Sequence, residues 1–185
     1  MNVYDFDNTI LRGDSTARFY VYCLVRTPKM LLRLPRLVWG ALFVLKKDKQ
    51  RFKQDMFGFL NDLDDPEGTV KAFWDKNIRR VKPFYLQKKD DTDVIISASP
   101  EFLVRPAMAR LGRATVLASP VGVHSGIYQG FNCHGAEKVR RFRELFPVAE
   151  IDEFYSDSLS DEPLAKMAKK AYLVKEEKLI PWPFD

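Results

Sequence analysis

The stretch Val94–Gly112, VIISASPEFLVRPAMARLG, decides how this chain folds. It opens on a run of β-branched residues with no polar alternation, the mark of a strand buried on both faces. Pro100 then stands where a helix opens, and Gly112 is placed to cap that helix at its end. A doubly buried strand leading straight into a helix is half of a βαβ unit, which implies a parallel sheet.

The same alternation continues outward. ATVLAS (114–119) reads as the next strand, and PVGVHSGIYQGF (120–131) has glycines spaced as in a hairpin. GAEKVRRFRELF (135–146) reads as a helix, AEIDEFYSD (149–157) as a strand running into acids, and EPLAKMAKKA (162–171) as a helix. AYLV (171–174) reads as a last strand before an IPWPFD tail. Toward the N-terminus, residues 1–6 form a short strand. Residues 15–80 then carry a helical pattern, with Asp65 before Pro66 as an N-cap followed by proline at the first helical position. The expectation is an α/β fold. Residues 1–11 and 90–185 form a doubly wound parallel core, and residues 12–89 form an inserted all-helical cap.

Charge divides along the same line. Residues 12–89 hold 18 Lys/Arg against 8 Asp/Glu, whereas the whole chain is only +5. A basic insertion suits an anionic substrate or an anionic membrane surface. Charge alone is too unspecific to imply nucleic acid, and none is expected. Cys23 and Cys133 are far apart and lack metal-ligand spacing, so buried free thiols in a reducing, cytoplasmic setting are expected. The acidic N-terminus does not read as a secretory signal.

The residues that carry chemistry gather at predicted strand ends. Asp5 and Asp7 follow the first strand, Ser97 ends VIIS, and Asp157 and Asp161 follow EFYS in SDSLSD. Open α/β sheets collect their ligands at the C-terminal ends of the strands. Lys138 would come in from the adjacent helix. Two acids flanking Phe6 are costly to desolvate together, so water or a cation must compensate them.

This ordered set resembles the haloacid dehalogenase superfamily of phosphotransferases, and the resemblance runs the whole length of the chain. DFDNT fits the family's first motif, VIIS the second, Lys138 the third-motif lysine and SDSLSD the fourth, while Asn8 replaces the commoner Gly or Ser. A helical insertion between the first two motifs is similar to the cap of the phosphoserine-phosphatase-like subfamily. The resemblance implies Asp5 as nucleophile, forming an aspartyl-phosphate, and Asp7 as general acid/base. It implies Mg²⁺ on the Asp5 and Asp157 carboxylates and the Asp7 carbonyl. Ser97 and Lys138 would bind the phosphoryl oxygens, and Asp161 would act through water or by orienting Lys138. Ser99 stands in for Ser97 if the strand register is shifted by two.

The substrate implied is a small phosphomonoester. Phosphoserine phosphatases usually place a glutamate and an arginine in the cap; here LRGDSTARF offers Asp14 and Arg18 but no glutamate. A second reading is a membrane-proximal lipid phosphate, as in phosphatidylglycerophosphatase C-type enzymes. Residues 30–47, MLLRLPRLVWGALFVLKK, are apolar with Trp39 and are bracketed by Arg33, Arg36, Lys46 and Lys47. The uninterrupted apolar run 37–45 is too short to span a bilayer but could lie in its interface, or simply pack within the cap. Liposome flotation separates the two. A third reading is a binding module of the same fold without turnover. His124, His134, Asn132 and Gly135 read as surface, packing or loop-shaping residues.

Overall fold

The computed structural model describes residues 1–33 and 56–184. The remainder of the apolar 30–47 stretch, from residue 34 onward, therefore lies outside the described residues. The elements in chain order are β1 (Asn2–Tyr4), α1 (Ser15–Arg26), short 3₁₀ turns at Pro28–Arg33 and Gly58–Asp62, α2 (Pro66–Asn77), a 3₁₀ turn at Ile78–Arg80 and α3 (Pro83–Lys88). There follow β2 (Val94–Pro100), α4 (Glu101–Ala109), β3 (Thr115–Ser119), α5 (Ala136–Leu145), β4 (Ile151–Ser156), a 3₁₀ turn at Leu159–Asp161, α6 (Glu162–Ala165), β5 (Ala168–Lys175) and β6 (Lys178–Pro181).

The six strands make one sheet in the order β3-β2-β1-β4-β5-β6. Every neighbouring pair is parallel except β5 with β6. The expected α/β architecture is thus the observed one. β1 lies at the centre, and the chain order reverses on either side of it, which opens a crevice at the carboxyl ends.

Strand alternation sorts side chains onto two faces. Val3, Val94, Ile96 and Leu173 join a core with Phe142 of α5 and Leu164 of α6. Tyr4, Ile95, Tyr155 and Val174 join the opposite core, which continues through Leu103 of α4 into Phe19 of α1 and Phe73 and Trp74 of α2. The buried Trp74 indole donates to the Leu103 carbonyl at 2.9 Å, so this large ring is packed without leaving its N–H unpaired. Asp65 caps α2, accepting the Gly68 N–H at 2.9 Å, with Pro66 at the first helical position. Among the described residues no helix is long and apolar enough to cross a membrane.

Residues 12–80 leave and return side by side. Leu11 bridges Val81, the Arg12 N–H donates to the Arg80 carbonyl at 3.0 Å, and the Lys82 N–H donates to the Ile10 carbonyl at 2.8 Å. Residues 10–12 and 80–82 are therefore fastened to each other just after the loop that follows β1.

Two elements depart from the sequence reading. The helix expected over residues 162–171 stops at Ala165, and Ala168–Lys175 is strand β5. Pairing of Ala168 with Ile151 and Lys170 with Glu153 along β4 overrides the helix preference of Ala and Lys. The tail is ordered structure as well. β6 pairs back on β5, the Trp182 N–H donates to the Ala171 carbonyl at 2.9 Å, and the ring packs on Phe154.

Register also builds a tyrosine stack. Tyr4, Tyr155 and Tyr172 occupy opposed positions on β1, β4 and β5. Their rings stack at 4.7 and 5.1 Å, and Tyr85 of α3 meets Tyr4 edge-on at 5.0 Å. Beside them Asp93 is fully buried. One of its oxygens accepts the Asp90 N–H at 2.8 Å, and the other has no hydrogen-bond partner. Burial pushes its carboxyl up to about 6. A folded-state value above the unfolded one favours the protonated form, so stability is fully present below about pH 4 and is lost as pH rises through 6. Asp93→Asn keeps the accepting oxygen and cannot ionise. It is expected to be nearly neutral at pH 4 and stabilising by about 2 kcal/mol at pH 7.5. Urea denaturation at the two pH values measures this, and an effect independent of pH would contradict it.

Candidate active site

The chain leaves β1 through a tight turn. Asn8 adopts a left-handed backbone, φ 55°, which is uncommon for a residue with a side chain. The turn closes with the Ile10 and Leu11 N–H groups donating to the Phe6 carbonyl at 3.1 and 3.0 Å. Thr9 is buried in this turn, and Asp5 and Asp7 face one cavity. Its volume is about 330 Å³, and Ser97, Ser99, Lys138, Asp157 and Asp161 also line it. Asp5, Asp7, Ser97, Lys138, Asp157 and Asp161, named from the sequence for catalysis, phosphate or metal, thus line one cavity.

Lys138 is buried at the start of α5, where Gly135, φ 57°, makes the entry turn. Its Nζ donates to Asp5 Oδ1 at 2.6 Å and to Asp161 Oδ2 at 2.7 Å. Asp161 accepts a further hydrogen bond from Ser156 Oγ at 2.8 Å, while its other oxygen is buried without a partner. Burial alone would lower the lysine, but the two carboxylates outweigh it and hold the amine firmly charged. For Asp5, burial pushes the carboxyl well above the usual range, with Lys138 opposing and Asp161 adding to the rise.

Asp7 is anchored differently. Its Oδ1 accepts the Ser15 N–H at 2.6 Å, at the N-terminus of α1, and its other oxygen accepts from the Ser99 hydroxyl. Burial pushes Asp7 up to about 6 against both hydrogen bonds. That is the range in which a carboxyl can both give and take a proton near neutral pH. Asp14, considered from the sequence as a substrate reader, caps α1 by accepting the Ala17 N–H at 2.8 Å. It also lines the cavity, whereas Arg18 packs over Gly13 outside the lining.

The register question at β2 has a structural answer. Pairing with β3 runs regularly to Ser97–Ala118 and then slips to Pro100–Ser119. Two apart on one strand, Ser97 and Ser99 share a face, and both line the cavity. Ser97 Oγ accepts the Ser99 N–H at 3.1 Å, while Ser99 Oγ is held by Asp7, Ser15 and Thr16. The two serines are therefore both site residues with separate partners.

Thr9 was missed by the sequence reading. It is fully buried and its hydroxyl accepts the Asp157 N–H at 2.9 Å and donates to Asp5 Oδ2 at 3.2 Å. Asp157 Oδ1 lies 3.5 Å from the same hydroxyl, so one group joins the ends of β1 and β4. Its place in DFDNT was the signal available. His134 also lines the cavity, at its exposed rim. His124 is at the surface, 3.4 Å from Glu67. Asn132 shapes the loop before α5 by accepting from Ser119 Oγ at 3.0 Å. Both cysteines are buried and free.

The donor set has room for a cation. Asp5, Asp7, Asp157 and Asp161 meet a single lysine, burial raises Asp157 too, and Asp161 keeps an unpaired buried oxygen. Among the described residues no three His, Cys, Asp or Glu side chains are gathered as a ready cage. Two carboxylates with a main-chain carbonyl and water are a donor set that suits Mg²⁺, which keeps part of its hydration.

A "probable phosphatase" of Mycobacterium tuberculosis (strain ATCC 25618 / H37Rv) is 33% identical over 105 residues, 49% of this chain and 36% of that protein. The match thus spans about a third of the curated relative's length. A Bordetella pertussis Tohama I protein of unknown function superposes with a TM-score of 0.72 at 18% identity, over 94% of this chain and 88% of that one. A phosphoserine phosphohydrolase-like protein from Francisella tularensis subsp. tularensis SCHU S4 does so with 0.56 at 16%, over 96% and 90%. These structural likenesses establish a shared fold. The model of the haloacid dehalogenase-like hydrolases matches residues 3–166, from β1 past Asp161, and with every lining acid inside that span the chain belongs to this family.

Proposed function

We propose that the protein is a Mg²⁺-dependent phosphatase that hydrolyses a small phosphomonoester through an aspartyl-phosphate on Asp5. One observation carries this: a buried Asp5 fixed by Lys138 at 2.6 Å, facing the same cavity as Asp7, whose carboxylate is held by the Ser15 N–H and the Ser99 hydroxyl. Family membership and the name of the Mycobacterium relative support it.

In the first step an Asp5 oxygen attacks phosphorus as the bond to the leaving oxygen breaks, and Asp7 gives that oxygen its proton. In the second, Asp7 takes a proton from a water that attacks the aspartyl-phosphate, releasing inorganic phosphate and restoring Asp5. Ser97, whose oxygen already accepts a backbone N–H, would donate its hydroxyl hydrogen to a phosphoryl oxygen, and Lys138 would balance phosphoryl charge. Asp161 would keep Lys138 charged and aimed. The Asp5 and Asp157 carboxylates and the Asp7 carbonyl would hold Mg²⁺, which supplies further charge neutralisation. Residues 12–89 would act as the cap that selects the leaving group, since Met56 and Phe57 contribute an apolar wall to the cavity.

Phosphate release from a panel of aryl and alkyl phosphates tests the reading. Turnover is expected with Mg²⁺, to fall at least about 100-fold on chelation and to return on adding the ion back. No release from any ester would favour the binding-module alternative.

A further inference from the structure

Lys82 is 2% exposed, and its hydrogen bonds go to main-chain oxygens, with Asp157, Glu176 and Glu177 lining the same pocket. Its Nζ donates to the carbonyls of Asn8 and Glu176. Those two residues are the described non-glycine positions with positive φ, 55° and 53°. A buried ammonium is costly unless its donors are used, and a left-handed residue persists only where its surroundings over-determine it. The two costs are met together: the lysine needs carbonyls, and the strained turns present them. Asn8 follows Asp7 directly and precedes Thr9, the residue that joins Asp5 to Asp157. Lys82 also lies where the chain comes back beside the loop after β1, its N–H donating to the Ile10 carbonyl.

We propose that Lys82 is a positioning residue for the reaction, pinning the Asn8 peptide so that Asp7 and Thr9 keep their places and tying that turn to the β5–β6 turn. The proposal rests on the phosphatase reading for its kinetic consequence alone. Without the ammonium, the Asn8 carbonyl loses its buried partner and the peptide can rotate toward a relaxed backbone. The proton donor Asp7 then drifts from the leaving oxygen, while the buried Asp5–Lys138 pair at the base of the cavity stays in place.

Two measurements on the full chain test this, using Lys82→Met, which keeps the length without the donors, and Lys82→Arg, which keeps cation and donors. Hydrogen exchange is expected to rise about tenfold or more at the Ile10 and Leu11 amides in Lys82→Met, with β2 and β4 amides unchanged. With 4-nitrophenyl phosphate its kcat is expected to fall about tenfold, but with phenyl phosphate about 100-fold, because the poorer leaving group needs the Asp7 proton more. KM should stay within about threefold, and Lys82→Arg should retain the wild-type leaving-group dependence. If Lys82→Met does not fold, Lys82→Arg decides by whether Ile10 and Leu11 protection is kept. Equal losses on both esters with unchanged protection at Ile10 and Leu11 would overturn the proposal. A wild type that hydrolyses no ester of the aryl and alkyl panel counts against the phosphatase reading, and exchange still decides the role of Lys82.

Discussion

Asp5→Asn is expected to fold normally and to lose turnover by at least about 10⁴-fold, because an amide cannot form the aspartyl-phosphate. The two halves of this result have one cause. Burial raises the Asp5 carboxyl, so the ionised group needed as nucleophile is a burden on the folded state. A group raised on folding contributes stability at low pH and loses it as pH rises through its folded value. The neutral amide removes that loss and can still accept from Lys138. Thermal melts should therefore show Asp5→Asn at least as stable as wild type at pH 8, with the difference shrinking toward pH 5. A variant that melts far below wild type at pH 8 would contradict the assignment, since activity would then be lost with the fold.

Lys138→Met has the opposite profile: activity and stability should fall together. The lysine bonds Asp5 and Asp161, and its removal leaves two desolvated carboxylates facing each other. Breaking a buried pair in this way costs about 3–5 kcal/mol. Asp5 can escape part of that cost by binding a proton. With Lys138 gone its folded-state value rises further above the unfolded one, so stability is lost as pH increases. The deficit relative to wild type should accordingly be larger at pH 8 than at pH 5. Turnover should drop by at least about 100-fold through loss of the cation beside the phosphoryl oxygens. Urea titrations at both pH values, with single-turnover assays on the folded fraction, separate the two effects. A deficit that shrinks with rising pH would contradict the account.

How much of this was legible depends on whether the signal is local. VIIS and the acids of DFDNT and SDSLSD could be read because strand burial and charge placement are visible in a few consecutive residues. The joint approach of Asp5, Lys138 and Asp161 was implied only by the family resemblance, since no run of consecutive residues shows it. Thr9 could not be ranked, because its value lies in touching Asp157, far away in sequence. Ser99 was seen only as a substitute for Ser97: alternation puts both on one face, but the partners of Ser99, Asp7, Ser15 and Thr16, are far away in sequence. Residues 168–171 misled because Ala and Lys favour a helix when β4 is not yet known to be alongside. Lys82 was invisible for the same reason: in sequence it is one more basic residue of a basic insertion.

The most direct test is to quench the wild-type protein during turnover of 4-nitrophenyl phosphate and map any phosphorylated residue by mass spectrometry. The account predicts a single acid-stable, base-labile phosphoryl group on Asp5, absent from Asp5→Asn. Steady turnover with the phosphoryl group on another side chain, or full turnover by Asp5→Asn, would contradict it.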